Sequence, residues 1–370
     1  MLVVRAARQS DLGGLMKLAA LVGDGMTTLK ADLRMLGARL DTACASFAGQ
    51  IPPEERDYLF VMEDLAQEAM VGVCGIKGAV GLREPFYNYR IGTLVHSSIE
   101  LEIFSRMETL YLSNDLTGSA ELCSLFLHPA YRNGTNGKLL SKSRFSFIAQ
   151  FPQLFPQMLI AEMRGFQRAD GASPFWENLG RHFFQMDFKR ADDLSSLGKK
   201  SFIAELMPRH PLYVAYLPRE AQDVIGMVHV DTAPARHLLE QEGMFYAGFV
   251  DIFDAGPVLQ ARVADLRAVR DSRLVLVGDA AIETSFSGGS SDGFNAGVGV
   301  GADPGARRPS TTGMSPMLIA STTLADFRAI VVDGQSPSGA LDASARAALG
   351  VGAGDTLRIL PLSPKKHAAT

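Results

Sequence analysis

Cysteine is scarce in this chain of 370 residues: Cys44, Cys74 and Cys123 stand far apart, without the close pairing of a metal site, so no bound metal is expected. Three isolated thiols make no disulfide framework, which points to reduced thiols in the cytoplasm. Long apolar runs are missing as well. No stretch reaches the ~18–20 residues that a membrane-spanning helix requires, and Arg5 and Arg8 fall inside what would have to be the apolar part of a signal peptide. Charge of one sign is not in excess either. The formal net charge is -4 and no basic run interleaves with aromatics, so nucleic acid is not expected as a partner. With 47% hydrophobic and 21% charged residues, the composition is that of an ordinary soluble globule with enough chain for a large core.

The most informative stretch is ELCSLFLHPAYRNGTNGKLLSKSRFSFIAQ, residues 121–150. Leu122 to Leu127 are apolar enough for a buried strand, His128-Pro129 ends it, and Leu139, Leu140, Phe145, Phe147 and Ile148 give a helical stripe beyond the turn. The turn itself is Arg132-Asn133-Gly134-Thr135-Asn136-Gly137. Glycine and asparagine let its backbone N–H groups point one way, and a helix opening near Gly137 adds a positive dipole end. Together they predict a cradle for a diphosphate. The spacing of Gly134 and Lys138 is too short for the nucleotide loop that ends in lysine and serine.

Around it, the order of elements is legible. Leu2 to Val4 reads as a strand, and Ser10 and Asp11 as caps to a helix with Leu12, Leu15, Leu18 and Ala19. A second helix follows over 30–47, with Thr27 and Thr28 as its caps, then a hairpin of Tyr58 to Met62 and Val71 to Ile76. Strands at Tyr89 to Val95 and Thr109 to Leu112, the central strand and helix, and a strand at Met158 to Ala161 complete the unit. Ser173 to Gly180 forms a short helix, and a similar cassette of helix, glycine and aromatic strand lies at Ala235 to Phe249. That recurrence predicts a second half built as a degenerate copy. Residues 279–316 are glycine- and serine-rich with hardly any periodicity, a flexible linker or insertion whose loss should leave activity intact. A helix at Ala343 to Leu349 and a strand at Thr356 to Leu360 follow.

Strand, Arg-x-x-(Gly)-x-Gly, helix resembles the loop with which GNAT acyltransferases hold the pyrophosphate of coenzyme A. The first of its two spaced glycines falls here on Thr135, with Gly134 beside it. REPFYNYRIGTLVHSS (83–98), LYLSNDLTG (110–118), AELMPRHPLYV (204–214) and HVDTAPARHLLEQEG (229–243) look like the bacterial arginine N-succinyltransferase family, with resemblance over about 1–280 and again near 318–363. The resemblance implies an α+β, GNAT-like fold with a second GNAT-like half and a small C-terminal β-containing segment. The expected division is an acyl-CoA-binding domain over 1–200, a half contributing the catalytic histidine over 201–278, the insertion over 279–316 and the tail over 317–370. It also implies succinyl-CoA as co-substrate, no tightly bound cofactor, the α-amino group of L-arginine as acceptor, and a homo-oligomer or a paralogous partner subunit.

Acyl transfer to an amine needs a free lone pair, a polarised thioester carbonyl and a proton for the departing thiolate. Many GNAT enzymes supply the proton from a tyrosine, where this chain has Trp176, whose indole is no useful donor. The resemblance points to His229 instead. It precedes a helix opening near Thr232 to Pro234, whose positive end should keep the ring neutral and able to accept a proton. The resemblance also places a succinyl-CoA contact at Leu125, which only its backbone can make, while Arg132 to Gly137 hold the diphosphate. Two carboxylates and a guanidinium among the substrates call for cationic forks and acids. Arg90, Arg164 and Arg209 are candidates for the former, Asp115, Glu121 and Glu162 for the latter, with His96 and His210 in reserve. Ornithine as acceptor and a catalytically silent coenzyme A-binding regulator remain as alternatives.

Overall fold

The computed structural model describes residues 1–22, 26–196, 201–208, 210–278, 315–333 and 341–364. Its strands are β1 (Leu2–Ala6), β2 (Asp57–Asp64), β3 (Ala69–Lys77), β4 (Asn88–Ser98), β5 (Ile103–Ser113), β6 (Ala120–Leu127) and β7 (Met158–Glu162). They continue as β8 (Leu212–Tyr213), β9 (Phe245–Asp251), β10 (Pro257–Arg262), β11 (Arg273–Leu276), β12 (Met317–Ser321), β13 (Arg328–Val332) and β14 (Thr356–Pro361). All fourteen join one mixed sheet in the order β11-β14-β12-β13-β1-β2-β3-β6-β7-β10-β9-β4-β5-β8.

Local sequence explains most of these elements. Helices α1 (Leu12–Ala19) and α2 (Leu33–Phe47) put Leu15, Leu18, Leu36, Leu40 and Ala43 at helical spacing onto one face of the sheet, against Leu59, Val61 and Val73. The cap of α2 is Asp32, whose carboxylate accepts the Met35 N–H at 2.8 Å, rather than Thr27 or Thr28. The other face is covered by α3 (Asn136–Gln150). Leu139 to Ala149 are buried without exception, so the expected apolar stripe is a helix enclosed on all sides, with Lys142 and Arg144 inside. Phe147 anchors it, with Phe60 and Tyr58 rings 5.0 and 4.9 Å away, contacts of the kind that add about 1 kcal/mol each to area burial.

Two expectations change. The cassette after Ser173 does not repeat the one at Ala235: Gly180 lies inside continuous helix, and Phe183 and Phe184 are helical where a strand was expected. Gly180 faces the Trp176 ring, and Trp176 is a core residue stacked on Phe184, its indole N–H donated to the Met186 carbonyl at 3.1 Å. The described residues of 1–200, 201–278 and 317–370 share one sheet and one principal core, because β10 pairs with β7, β9 with β4, and β13 with β1. The glycine-rich insertion, save for Ser315 and Pro316, falls outside the described residues. Among the described residues, no helix is long and apolar enough to cross a membrane.

Candidate active site

β6 and β7 run parallel but pair only at Ala120–Leu159 and Glu121–Ile160. Beyond that point they part, so the edge of β6 from Leu122 to Leu127 has no strand partner on the β7 side among the described residues. On its other side β6 is bulged: Val73 faces Phe126 and Gly75 faces Cys123, leaving Ser124 and Leu125 opposite the single residue Cys74. Ser124 takes a left-handed φ of 54°, uncommon for a residue with a side chain. The gap opens into a cleft of about 1530 Å³ lined by residues 121–127 of β6, by 161–164 at and just beyond the end of β7, and by the loop before α3.

That loop has the geometry of an anion cradle. Asn133 N–H is bonded to the Tyr131 carbonyl and Asn136 N–H to the Asn133 carbonyl, while the amides of Gly134, Thr135, Gly137 and Lys138 take no backbone acceptor. Gly134 has a φ of 53°, and a Cβ on Gly134 or Gly137 would point into open space. The Asn136 side chain ties the loop to the Tyr131 carbonyl at 3.0 Å. Arg132 lies over the Phe126 ring and donates from Nε to the Leu127 carbonyl at 2.9 Å, which leaves its outer nitrogens free for an anion.

On the α1/α2 face the cleft is charged. Arg39 of α2 forks onto Asp57 at 2.8 and 3.1 Å and reaches Ser124 Oγ at 2.7 Å and the Thr28 carbonyl at 2.6 Å. Burial opposes its charge, but Asp57 more than offsets that and holds the guanidinium above its ordinary value. The bond to Ser124 clamps the bulge. Glu121 sits 3.8 Å from Lys77 and raises that ammonium above its ordinary value against burial. Glu162 accepts from Asn88 Nδ2 at 2.8 Å at the end of β7.

His229 is anchored to the same end of β7. Its backbone N–H donates to the Arg164 carbonyl at 2.8 Å, and Val228 bridges Gly165. Gly165 is fixed in turn by the Asp254 carboxylate, which accepts the Gly165 and Gly256 amides at 2.7 and 2.9 Å. The ring is mostly buried, and its Nδ1 accepts the Asp231 N–H at 3.2 Å with Asp231 Oδ2 3.6 Å away. A neutral ring that accepts at Nδ1 carries its proton on Nε2. Burial, then the Arg164 cation, lowers its pKa below the ordinary value, with Asp231 opposing. The neutral form expected from a helix end is thus favoured chiefly by desolvation. The imidazole is not itself among the groups lining the cleft; Asp231 and Thr232 are.

The remaining candidates scatter. Arg90 and Asp115 pair with each other at 3.0 Å, both half exposed and away from the cleft. Arg209 falls outside the described residues. His96 meets the Tyr213 hydroxyl at 3.2 Å on the β4–β5 arm, and His210 is exposed. Arg164, Glu121 and Glu162 do line the cleft. Sequence patterns missed Arg39, Asp57, Lys77 and Arg144, which the fold gathers there from four different elements. Only the two charges within the apolar run of α3 could have given a signal.

The family Arginine N-succinyltransferase beta subunit matches residues 2–268, and its C-terminal domain matches 308–361. An arginine N-succinyltransferase of Yersinia pseudotuberculosis serotype IB is 47% identical over 98% of each chain. One from Shigella flexneri serotype 5b is 52% identical over 75% of this chain and 81% of its own. The solved arginine/ornithine succinyltransferase subunit AI of Pseudomonas aeruginosa superposes with a TM-score of 0.82 at 32% identity, covering 98% of this chain and 99% of that one. With a GNAT-like parted strand pair above an amide-rich loop, and relatives aligned along nearly its whole length, this chain belongs to the arginine N-succinyltransferase family.

Proposed function

We propose that the protein transfers a succinyl group from succinyl-CoA to the α-amino group of L-arginine. The observation that carries this reading is the unpaired edge of β6 beside the bulge at Ser124 and Leu125, opening toward the free amides of Gly134, Thr135, Gly137 and Lys138. A pantetheine arm can lie along such an edge as an added strand, with its diphosphate on the loop and its thioester carbonyl at the Leu125 backbone. Arg132 and residues Asn133 to Gly137 hold the diphosphate.

The amine enters from the α1/α2 face, where Asp57 and Glu121 offer carboxylates to a guanidinium or ammonium and Arg39 and Lys77 offer cations to a carboxylate. Its nitrogen attacks the thioester carbon, giving a tetrahedral intermediate that collapses to the amide and the thiolate. His229 supports the proton balance: through water, the ring takes the proton lost by the amine and then passes one to the thiolate. Asp231 stabilises the charge that appears on the ring. The ring then returns to its resting tautomer.

Thiol release from succinyl-CoA in the presence of arginine tests the assignment. Rapid release with arginine and none without it is expected. Faster release with ornithine favours the second reading, which rests on the name of the Pseudomonas relative. No release with either amine leaves only a coenzyme A-binding protein and ends both.

A further inference from the structure

Helix α3 buries two cations and treats them differently. Lys142 Nζ is paired with Glu242 at 2.8 Å, both side chains wholly inaccessible. Arg144 is 2% exposed and has no carboxylate partner among the described residues. Its hydrogen bonds, both 3.3 Å long, go to the carbonyl and hydroxyl of Ser141 in its own helix, and its Nη1 makes none. The nearest acids in character are the Cys74 and Cys123 thiols. Burial pushes Cys74 up to about 11 and raises Cys123 as well, so both are neutral near pH 7. A buried guanidinium without an anion is costly, and removing its hydration disfavours its charge.

Its position supplies the reason. Arg144 lines the cleft, as does Leu140 one turn earlier on α3. Its charge lies beside Cys123 and Cys74, near the point where the strands part, while the open edge continues through Leu125 toward the diphosphate loop. Leu125 and Cys123 flank the left-handed Ser124 of the bulge, so the chain between them spans at most ~6.6 Å. A four-carbon diacid spans ~4 Å between its terminal carbons, from C–C bonds of ~1.5 Å, and a guanidinium bonded to its far oxygens adds about 3 Å. The lengths agree.

We propose that Arg144 is the residue that selects the acyl group, its guanidinium binding the distal carboxylate of the succinyl chain at the closed end of the cleft. This rests on succinyl-CoA being the donor. The ligand supplies the missing anion, and an uncharged acyl group of equal length leaves the cation unpaired. Selectivity thus comes from rejection as much as from attraction.

The test compares succinyl-CoA with butyryl-CoA, equal in chain length but ending in methyl, on the wild type, Arg144→Met and Arg144→Lys, at saturating arginine. Expected is a fall of about 30-fold or more in the succinyl-to-butyryl ratio of kcat/KM for Arg144→Met. Arg144→Lys keeps the charge without the fork and falls between. Affinity for coenzyme A itself and the melting transition report whether each variant is folded. An unchanged ratio in a folded variant that binds coenzyme A overturns the proposal, as does a rise in KM for arginine with the ratio intact. If Arg144→Met does not fold, Arg144→Lys decides, and an unchanged ratio there overturns it too. A wild type that releases no thiol from succinyl-CoA refutes the proposed function instead, a separate outcome.

Discussion

Glu242 ties the helix that heads the diphosphate loop to the segment that carries His229, and its removal should be felt in both stability and turnover. Its side chain is wholly buried, as is Lys142, and Arg267 is nearly so. All its bonds run through Oε1: Lys142 Nζ at 2.8 Å, Arg267 Nη2 at 2.6 Å and Arg267 Nε at 3.1 Å, while Oε2 has no partner. Glu242→Leu therefore strands two cations in the core, a change that costs about 3–5 kcal/mol. Arg267 keeps the Pro361 carbonyl at 3.0 Å, which limits the damage on its side. Glu242→Gln keeps the bonding oxygen and loses only charge, so it should cost less, about 2 kcal/mol. For a chain of 370 residues unfolding as one unit, with ~2.1 cal/mol/K per residue of unfolding entropy, 4 kcal/mol lowers the melting temperature by about 5 °C. Adding Lys142→Met to Glu242→Leu should recover part of the loss, since an apolar replacement of a buried pair is close to neutral. Scanning calorimetry on the three variants measures this. A melting point for Glu242→Leu within about 1 °C of wild type would refute the view that the triad locks these elements together.

His229→Ala should lower turnover by ~100-fold or more with arginine, measured by thiol release, if the ring moves the proton. Because the working ring is neutral and its pKa lies below the ordinary value, kcat/KM should be fully retained across that ordinary range and lost only as pH falls through the lowered value. Arg164→Gln, which removes the nearby cation, should move this acid limb upward; a limb that stays in place argues against His229 as its origin. At Gly256 a Cβ would lie 2.0 Å from the Met163 carbonyl and 2.6 Å from the Gly165 amide. Gly256→Ala must displace the end of β7, costing about 2 kcal/mol and carrying His229 out of place, and urea melts with single-turnover rates report both effects. Gly134→Val puts a branched side chain where the proposed diphosphate would sit and strains a φ of 53°, so KM for succinyl-CoA should rise at least tenfold with little change in kcat. Equal loss in both constants contradicts the cradle.

The central helix and its loop were legible because their signals are local. A glycine turn between an apolar strand and an apolar run specifies amides at a helix start regardless of what packs around it. The hairpin of β2 and β3 and the tail helix at Ala343–Leu349 follow from periodicity in the same way. The cassette at Ser173 misled, since the aromatic residues after Gly180 read as strand but bury their rings around Trp176 as helix. Local pattern cannot tell an aromatic strand from an aromatic helix when both faces are buried.

By itself, then, the sequence determined the run of strands and helices, the glycine-rich turn before the central helix and, through its motifs, the family. Tertiary structure decided which side chains share a cleft. Arg39, Asp57, Lys77 and Arg144 are brought together only when β6 parts from β7 and two helices cover the gap from opposite faces. It also decided their charge states, because the pKa of a buried group depends on desolvation and on neighbours distant in sequence. Arg144 shows the difference. In the sequence it is one more arginine, and in the fold it is a buried cation with no carboxylate partner among the described residues.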